Sequence, residues 1–265
     1  MLNIGIKMQK RSPSRSVLAA RFAIDFFILS CYNNKVILRL FVGQSAFLEV
    51  AFMKLYFIRH GESLGNAKHV LLGRTDLDLS ELGYRQAAAT AEAMRGFSID
   101  LIYSSSLKRA LNTAVPHGKL HGLPVIPDDE LCECRIGEWE NKTSEWCREN
   151  YGTVFTEDWV KGFGTFRFPG GESTMEGGRR LYNRVLEICR ENPDKNILFV
   201  AHAAVLRAFW GIISGISPEA LCAALPFPTN ASYSVCEFDG EKIIPEKYSC
   251  DGHLTDIGIT AIKYS

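Results

Sequence analysis

Three short, mostly apolar runs, at residues 55–58, 99–103 and 197–201, constrain this chain more than any other feature. Runs of that length with apolar residues at successive positions read as strands buried on both faces. Helical patterns separate them. Strands alternating with helices predict a three-layer α/β/α sandwich around a mostly parallel central sheet. Each run also leads into residues of chemical interest: Arg59-His60 after the first, Ser104-Ser105-Ser106 after the second, and His202 after the third. Sheet ends of this kind are where α/β folds receive ligands.

Ser80 is the predicted N-cap of a helix over 81–94, and Ser173-Thr174-Met175-Glu176 has the spacing of a capping box that opens a helix reaching about Arg190. A third helix is expected to start at serines 104–106 and to end or kink at Pro116, and a fourth covers 203–213. Runs at 232–238 and 242–248, separated by Asp239-Gly240-Glu241, predict a hairpin that extends or covers one side of the sheet.

The densest chemical signal is Arg59-His60-Gly61-Glu62-Ser63-Leu64-Gly65-Asn66. A histidine beside an arginine offers a nucleophilic nitrogen next to a planar, permanently charged fork suited to phosphate oxygens. Gly61 is expected to let backbone amides approach an anion closely. Arg109, in the first turn of the helix after the second run, and His202, after the third, come to the same sheet edge.

With these residues in hand, the chain from 53 to 265 resembles the histidine phosphatase superfamily, also called the phosphoglycerate mutase-like family. The resemblance is carried by Arg59-His60-Gly61-Glu62-Ser63 with Asn66, then by Gly73-Arg74-Thr75-Asp76, Leu79-Ser80-Glu81-Leu82-Gly83 and Gln86-Ala87. Ser104-Ser105, Arg109-Ala110, Thr113-Ala114, Leu131-x-Glu133, Gly137-Glu138-Trp139-Glu140, Pro169-Gly170-Gly171-Glu172-Ser173 and Val200-Ala201-His202 follow in order. It implies a phosphoglycerate mutase-like fold and a catalytic set of His60, Glu133 and His202. His60 is the phosphorylated nucleophile and Glu133 the proton donor to the leaving oxygen. Arg59, Arg109 and His202 clamp the phosphate, Asn66 adds a contact, and backbone near Gly73 touches substrate. Two departures stand out. Ala203 and Asn141 replace glycines usual in the family, so an altered fit is expected around the phosphate rather than a loss of chemistry.

An unperturbed imidazole is roughly three-quarters neutral at pH 7, and neighbouring arginines favour that form. Glu133 needs help to carry a proton, which like-charge repulsion from a bound phosphate dianion supplies. The scheme calls for no cofactor and no metal. The predicted activity is a phosphomonoesterase for a small phosphorylated metabolite. A phosphoglycerate mutase uses the same phosphohistidine but needs extra basic residues around a second phosphate, and segment 143–168 offers only Arg148, Lys161 and Arg167. A non-catalytic phospholigand-binding protein would not require both a nucleophile and an acid. Segment 143–168 is rich in aromatic residues and is expected to enclose the non-phosphate part of the substrate with apolar walls.

Thirty basic residues balance thirty acidic ones, so net charge points to neither nucleic acid nor a membrane surface as a partner. The eight cysteines include no CxxC pair and are expected to be reduced thiols of a cytoplasmic protein, with a metal at Cys132 and Cys134 the weaker alternative. A membrane span needs roughly 20 uncharged apolar residues. Arg21 and Asp25 interrupt the first apolar stretch of the N-terminal region, and Arg39 and Glu49 the second. Residues 1–52 are therefore expected to be an extension outside the folded domain, read in frame ahead of a start at Met53, with 53–265 the catalytic domain. His117 and His121, next to Pro116 and Gly118, are expected at a solvated helix end.

Overall fold

The computed structural model describes residues 24–32, 35–42 and 47–261. Strands β1 (Ile24–Tyr32), β2 (Lys35–Val42) and β3 (Phe47–Ala51) pair antiparallel in a sheet of their own. The extension expected over residues 1–52 includes residues 1–23, 33–34 and 43–46, which lie outside the described residues.

From Met53 the chain runs through β4 (Met53–Arg59), α1 (Leu64–Ala67), α2 (Glu81–Ala93), β5 (Leu101–Ser105), α3 (Lys108–His121) and β6 (Val125–Asp128). It continues through α4 (Ser144–Tyr151), α5 (Thr174–Glu191), β7 (Ile197–Ala201), α6 (Ala203–Ile213) and α7 (Leu221–Ala224), and closes with the hairpin β8 (Tyr233–Phe238) and β9 (Ile243–Cys250). The second sheet has the order β6-β5-β7-β4-β8-β9. Strands β4 to β7 are parallel, and the hairpin extends the sheet antiparallel beyond β4.

Alternation along the central strands builds two cores. Leu55 and Phe57 of β4, with Ile197 and Phe199 of β7, pack with Leu181, Val185 and Phe209 of α5 and α6. Tyr56 and Ile58, with Leu198 and Val200, pack on the other side with Ala110 and Ala114 of α3. Both faces of the sheet are thus covered, as a parallel sheet requires.

Ser80 and Ser173 cap α2 and α5 as their spacing predicts, Ser173 in a full capping box with Glu176. Two local expectations fail. Ser104 and Ser105 belong to β5, and α3 opens only at Lys108. That helix also passes through Pro116 to a left-handed C-cap at Gly122, φ 68°. Proline removes one helical hydrogen bond, and burial of Ala110, Ala114, His117 and Gly118 against the sheet, with the C-cap bond to the Gly118 carbonyl, offsets that loss. His117 is consequently fully buried rather than solvated.

Among the described residues no helix is long and apolar enough to cross a membrane.

Candidate active site

Sheet register fixes the centre of the site. Arg59 at the end of β4 lies opposite Ala201 at the end of β7, so the next residues, His60 and His202, leave the sheet side by side. The His60 amide donates to the Ala201 carbonyl at 3.0 Å, and the two rings stand 5.0 Å apart. Arg59, His60, Arg109, Glu133 and His202 are all buried, between 0% and 7% exposed. Residues from distant parts of the chain have converged on one point.

His60 has a defined tautomer. Its Nδ1 lies 2.7 Å from the Gly61 carbonyl, which can only accept, so Nδ1 carries the proton and Nε2 presents its lone pair. Burial, and after it the Arg109 and Arg59 guanidiniums, hold this imidazole well below its ordinary pKa, which keeps it neutral. Burial, then Arg109 and His60, do the same to His202. Nε2 of His202 is 2.7 Å from Ser105 Oγ, while its buried Nδ1 has no hydrogen-bond partner.

Arg109 reaches the site from the first turn of α3, its Nη1 donating to the Thr75 carbonyl and its Nη2 to the Gly73 carbonyl, both at 2.8 Å. Its Nε is buried without a partner. The loop it grips is held from the other side by Glu140, whose carboxylate accepts the amides of Gly73, Arg74 and Thr75 at 3.0, 3.3 and 2.7 Å. Both backbone groups of Gly73 are therefore engaged within the protein. Arg59 donates from Nη1 to the Pro228 carbonyl at 2.7 Å.

Glu133 follows the 3-10 turn Asp129–Leu131 and meets the start of α6. Its Oε2 accepts the amide of Ala204 at 3.0 Å, and its Oε1 those of Val205 at 3.1 Å and Cys134 at 2.9 Å. The carboxylate thus sits at the positive end of the helix that begins after His202. Asn66 accepts at Oδ1 from the amide and hydroxyl of Ser63 and from Asn230 Nδ2, which leaves its own amide nitrogen to face a ligand. Asn230 also donates to the His60 carbonyl at 3.0 Å.

Gly61 serves a different end from the one its sequence context predicts. Its amide is taken by Thr113 Oγ1 at 2.9 Å, and an added Cβ would stand 2.6 Å from the Gly83 carbonyl oxygen. Close packing of two backbones, rather than anion contact, requires a glycine there. Asn141, in place of a family glycine, has φ 61°, a conformation asparagine tolerates better than most side chains.

A cavity of about 510 Å3 opens over these groups. Arg59, His60, Asn66, Arg109, Glu133 and Ala203 line it at one end, and Ser144, Trp159 and Phe168 bring the expected segment to its wall. Phe155, Phe163 and Phe166 of that segment are buried core that supports Trp159 and Phe168 from behind, while Trp146 and Tyr151 are half-buried. Asn230, Phe227 and the 259–261 segment also line the cavity. No motif marks them in the sequence, because they arrive through the fold of the C-terminal region. Seven cysteines with described side chains are free thiols, and among the described residues no group of three His, Cys, Asp or Glu side chains is arranged to hold a metal ion.

An α/β domain whose sheet edge gathers two buried imidazoles, two guanidiniums and a helix N-terminus has the donors and charge of an oxyanion-binding site. This chain belongs to the histidine phosphatase superfamily (branch 1), whose family model matches residues 55–251. It is 31% identical over 212 residues to phosphoserine phosphatase 1 of Hydrogenobacter thermophilus, covering 80% of this chain and 99% of that protein. It is 34% identical over 173 residues to a probable phosphoglycerate mutase of Yersinia pestis, covering 63% of this chain and 78% of that one. The solved structure of a mycobacterial glucosyl-3-phosphoglycerate phosphatase superposes with a TM-score of 0.70 at 28% identity, over 75% of this chain and all of the other.

Proposed function

We propose that the protein hydrolyses a phosphate monoester through a phosphohistidine on His60. The observation that carries this is a pair of buried, unpartnered polar atoms: Nε of Arg109, whose charge lowers the His60 pKa, and Nδ1 of His202, whose ring stands 5.0 Å from that of His60. Buried polar atoms are seldom left unsatisfied: a phosphoryl oxygen beside His60 would accept from Arg109 Nε, and from His202 Nδ1 once the negative charge of the arriving phosphate has drawn a proton onto it.

In this scheme the Nε2 lone pair of His60 attacks phosphorus as the ester P–O bond breaks, with Arg59 and Arg109 balancing charge on the phosphoryl oxygens. The leaving oxygen takes a proton from Glu133. Water then attacks the P–N bond and returns its proton to Glu133, releasing inorganic phosphate and restoring His60. The fold and composition support a small phosphorylated metabolite as substrate and the cytoplasm as its location, and every step is met by side chains of this chain alone.

The test is hydrolysis of p-nitrophenyl phosphate together with alkaline quenching of a reaction run on the ester radiolabelled at phosphorus. Wild type is expected to turn over and to yield an acid-labile, alkali-stable label that maps to His60, with both lost in His60→Ala. Turnover that survives in His60→Ala would remove the phosphohistidine step. Phosphoglycerate isomerisation faster than hydrolysis would replace the phosphatase with a mutase.

A further inference from the structure

We infer that the alcohol released by this site is bulky and apolar, an aromatic or branched aliphatic group, and that esters carrying a carboxylate close to the phosphate are poor substrates. The inference rests on the phosphomonoesterase proposed above and adds the substrate class. Its basis is the division of the cavity into two chemically different halves.

The phosphoryl half holds Arg59 and Arg109, and these are the only guanidinium or ammonium groups among the described residues that line the cavity. Both lie beside His60 and are committed to the phosphoryl oxygens and the backbone carbonyls already named. The two carboxylates of the lining are Glu133 and Glu62. A second anionic group on the substrate would therefore enter a site that presents it with like charge.

Besides these charged groups and the polar side chains of Asn66, His69, Ser144, Asn230 and Thr260, the lining is apolar. Ile136, Trp159, Phe168, Phe227 and Leu71 face the same volume of about 510 Å3, far more space than a three-carbon acid fills. The wall is also fixed in place. The Trp159 ring lies 4.8 Å from that of Phe168 and 6.0 Å from that of Phe227, with Phe163 and Phe166 packed behind at 5.2 and 5.4 Å. Arg207 covers Phe227 at 4.3 Å and Phe163 at 4.7 Å, and is itself anchored by the carbonyls of Leu225 and Cys222. A preorganised aromatic surface needs no ordering when an apolar group binds, so its contacts appear in kcat/KM.

The experiment compares kcat/KM of the full chain for 2-(1-naphthyl)ethyl phosphate and 2-phenylethyl phosphate, alkyl esters whose leaving groups match those of the acids, with that for O-phosphoserine and 3-phosphoglycerate. The aromatic esters are expected to lead by about tenfold or more, the discrimination a modest apolar contact provides. Phe168→Ala and the half-buried Phe227→Ala should each raise KM for the naphthyl ester several-fold, and an unchanged KM in both folded variants overturns the inference. Two variants guard against one failing to fold. Equal or faster hydrolysis of the carboxylate esters overturns the inference and leaves the phosphatase intact. An enzyme that hydrolyses none of these esters and leaves His60 unlabelled overturns both.

Discussion

Ser105 Oγ lies 2.7 Å from His202 Nε2, and the same hydroxyl donates to Cys132 Sγ at 3.1 Å. With its only proton turned toward sulfur, Ser105 accepts from His202, so Nε2 carries the hydrogen and Nδ1 is the free nitrogen. Ser105 is thus a positioning residue for the second imidazole. Ser105→Ala should lower kcat about fivefold with little change in KM, the loss of one buried hydrogen bond at about 1 kcal/mol. In a His202→Ala background the same change should do nothing further, which a double-mutant cycle measures directly. Additive losses would mean that Ser105 acts on something other than His202.

Glu140 sets Arg109 at one remove. Its carboxylate holds the amides of Gly73, Arg74 and Thr75, and that loop in turn offers Arg109 the carbonyls of Gly73 and Thr75. Glu140→Gln keeps one acceptor oxygen and turns a donor toward backbone amides. Competitive inhibition by inorganic phosphate should weaken about tenfold, with about 1–3 kcal/mol lost in urea unfolding from unsatisfied buried groups. Unchanged phosphate affinity alongside lost stability would confine Glu140 to a structural role.

How far these arrangements are legible in the sequence depends on whether local chemistry or tertiary contact decides them. The three central strands, the capped helices α2 and α5 and the C-terminal hairpin follow from periodicity and caps, because burial on both faces and satisfied end groups are local demands. His60, Arg109 and His202 are placed together by strand ends alone. The partners are not so visible. Glu140 acts through amides 65 to 67 positions away, and Asn230 reaches the His60 carbonyl from 170 positions away, contacts that no spacing rule encodes. His117 shows the opposite failure: Pro116 and Gly118 argue locally against a helix, yet packing of α3 on the sheet overrides both.

That buried His117 gives the protein an acid liability. Neither ring nitrogen has a hydrogen-bond partner, and burial first, then His121 and His253, bring its pKa down to about 3. An unfolded histidine titrates near about 6.5. Below that pH the unfolded chain binds a proton that the folded chain refuses, so stability falls as pH drops from about 6.5 toward about 3, by up to about 1.4 kcal/mol per unit. Between pH 7 and pH 5, wild type should lose about 2 kcal/mol more than His117→Leu in urea unfolding, a comparison that cancels the similar contribution of the other buried histidines. Parallel pH dependences for the two proteins would show that His117 is not the group responsible.

The last prediction concerns two glycines packed against the loop that carries His60. An ideal Cβ on Gly83, in the first turn of α2, would fall 2.0 Å from the Glu62 carbonyl oxygen, and one on Gly61 would meet the Gly83 carbonyl oxygen at 2.6 Å. The helix start is joined to the same loop by the Ser80 amide on the Glu62 carbonyl at 2.8 Å. Alanine is a better helix former than glycine by about 1 kcal/mol, so Gly83→Ala sets a local gain against overpacking that typically amounts to about 1–3 kcal/mol. Stability should therefore change by about 2 kcal/mol at most, while the loop that carries His60 has to move. A displacement of about 1 Å at a reacting group lowers rate on the order of a hundredfold, so activity should fall much further than stability does. Gly96→Ala is the matched control, because a Cβ there meets nothing within 4 Å, and its activity should equal that of wild type. If Gly83→Ala keeps full activity in the p-nitrophenyl phosphate assay, the close approach of α2 does not set the position of His60.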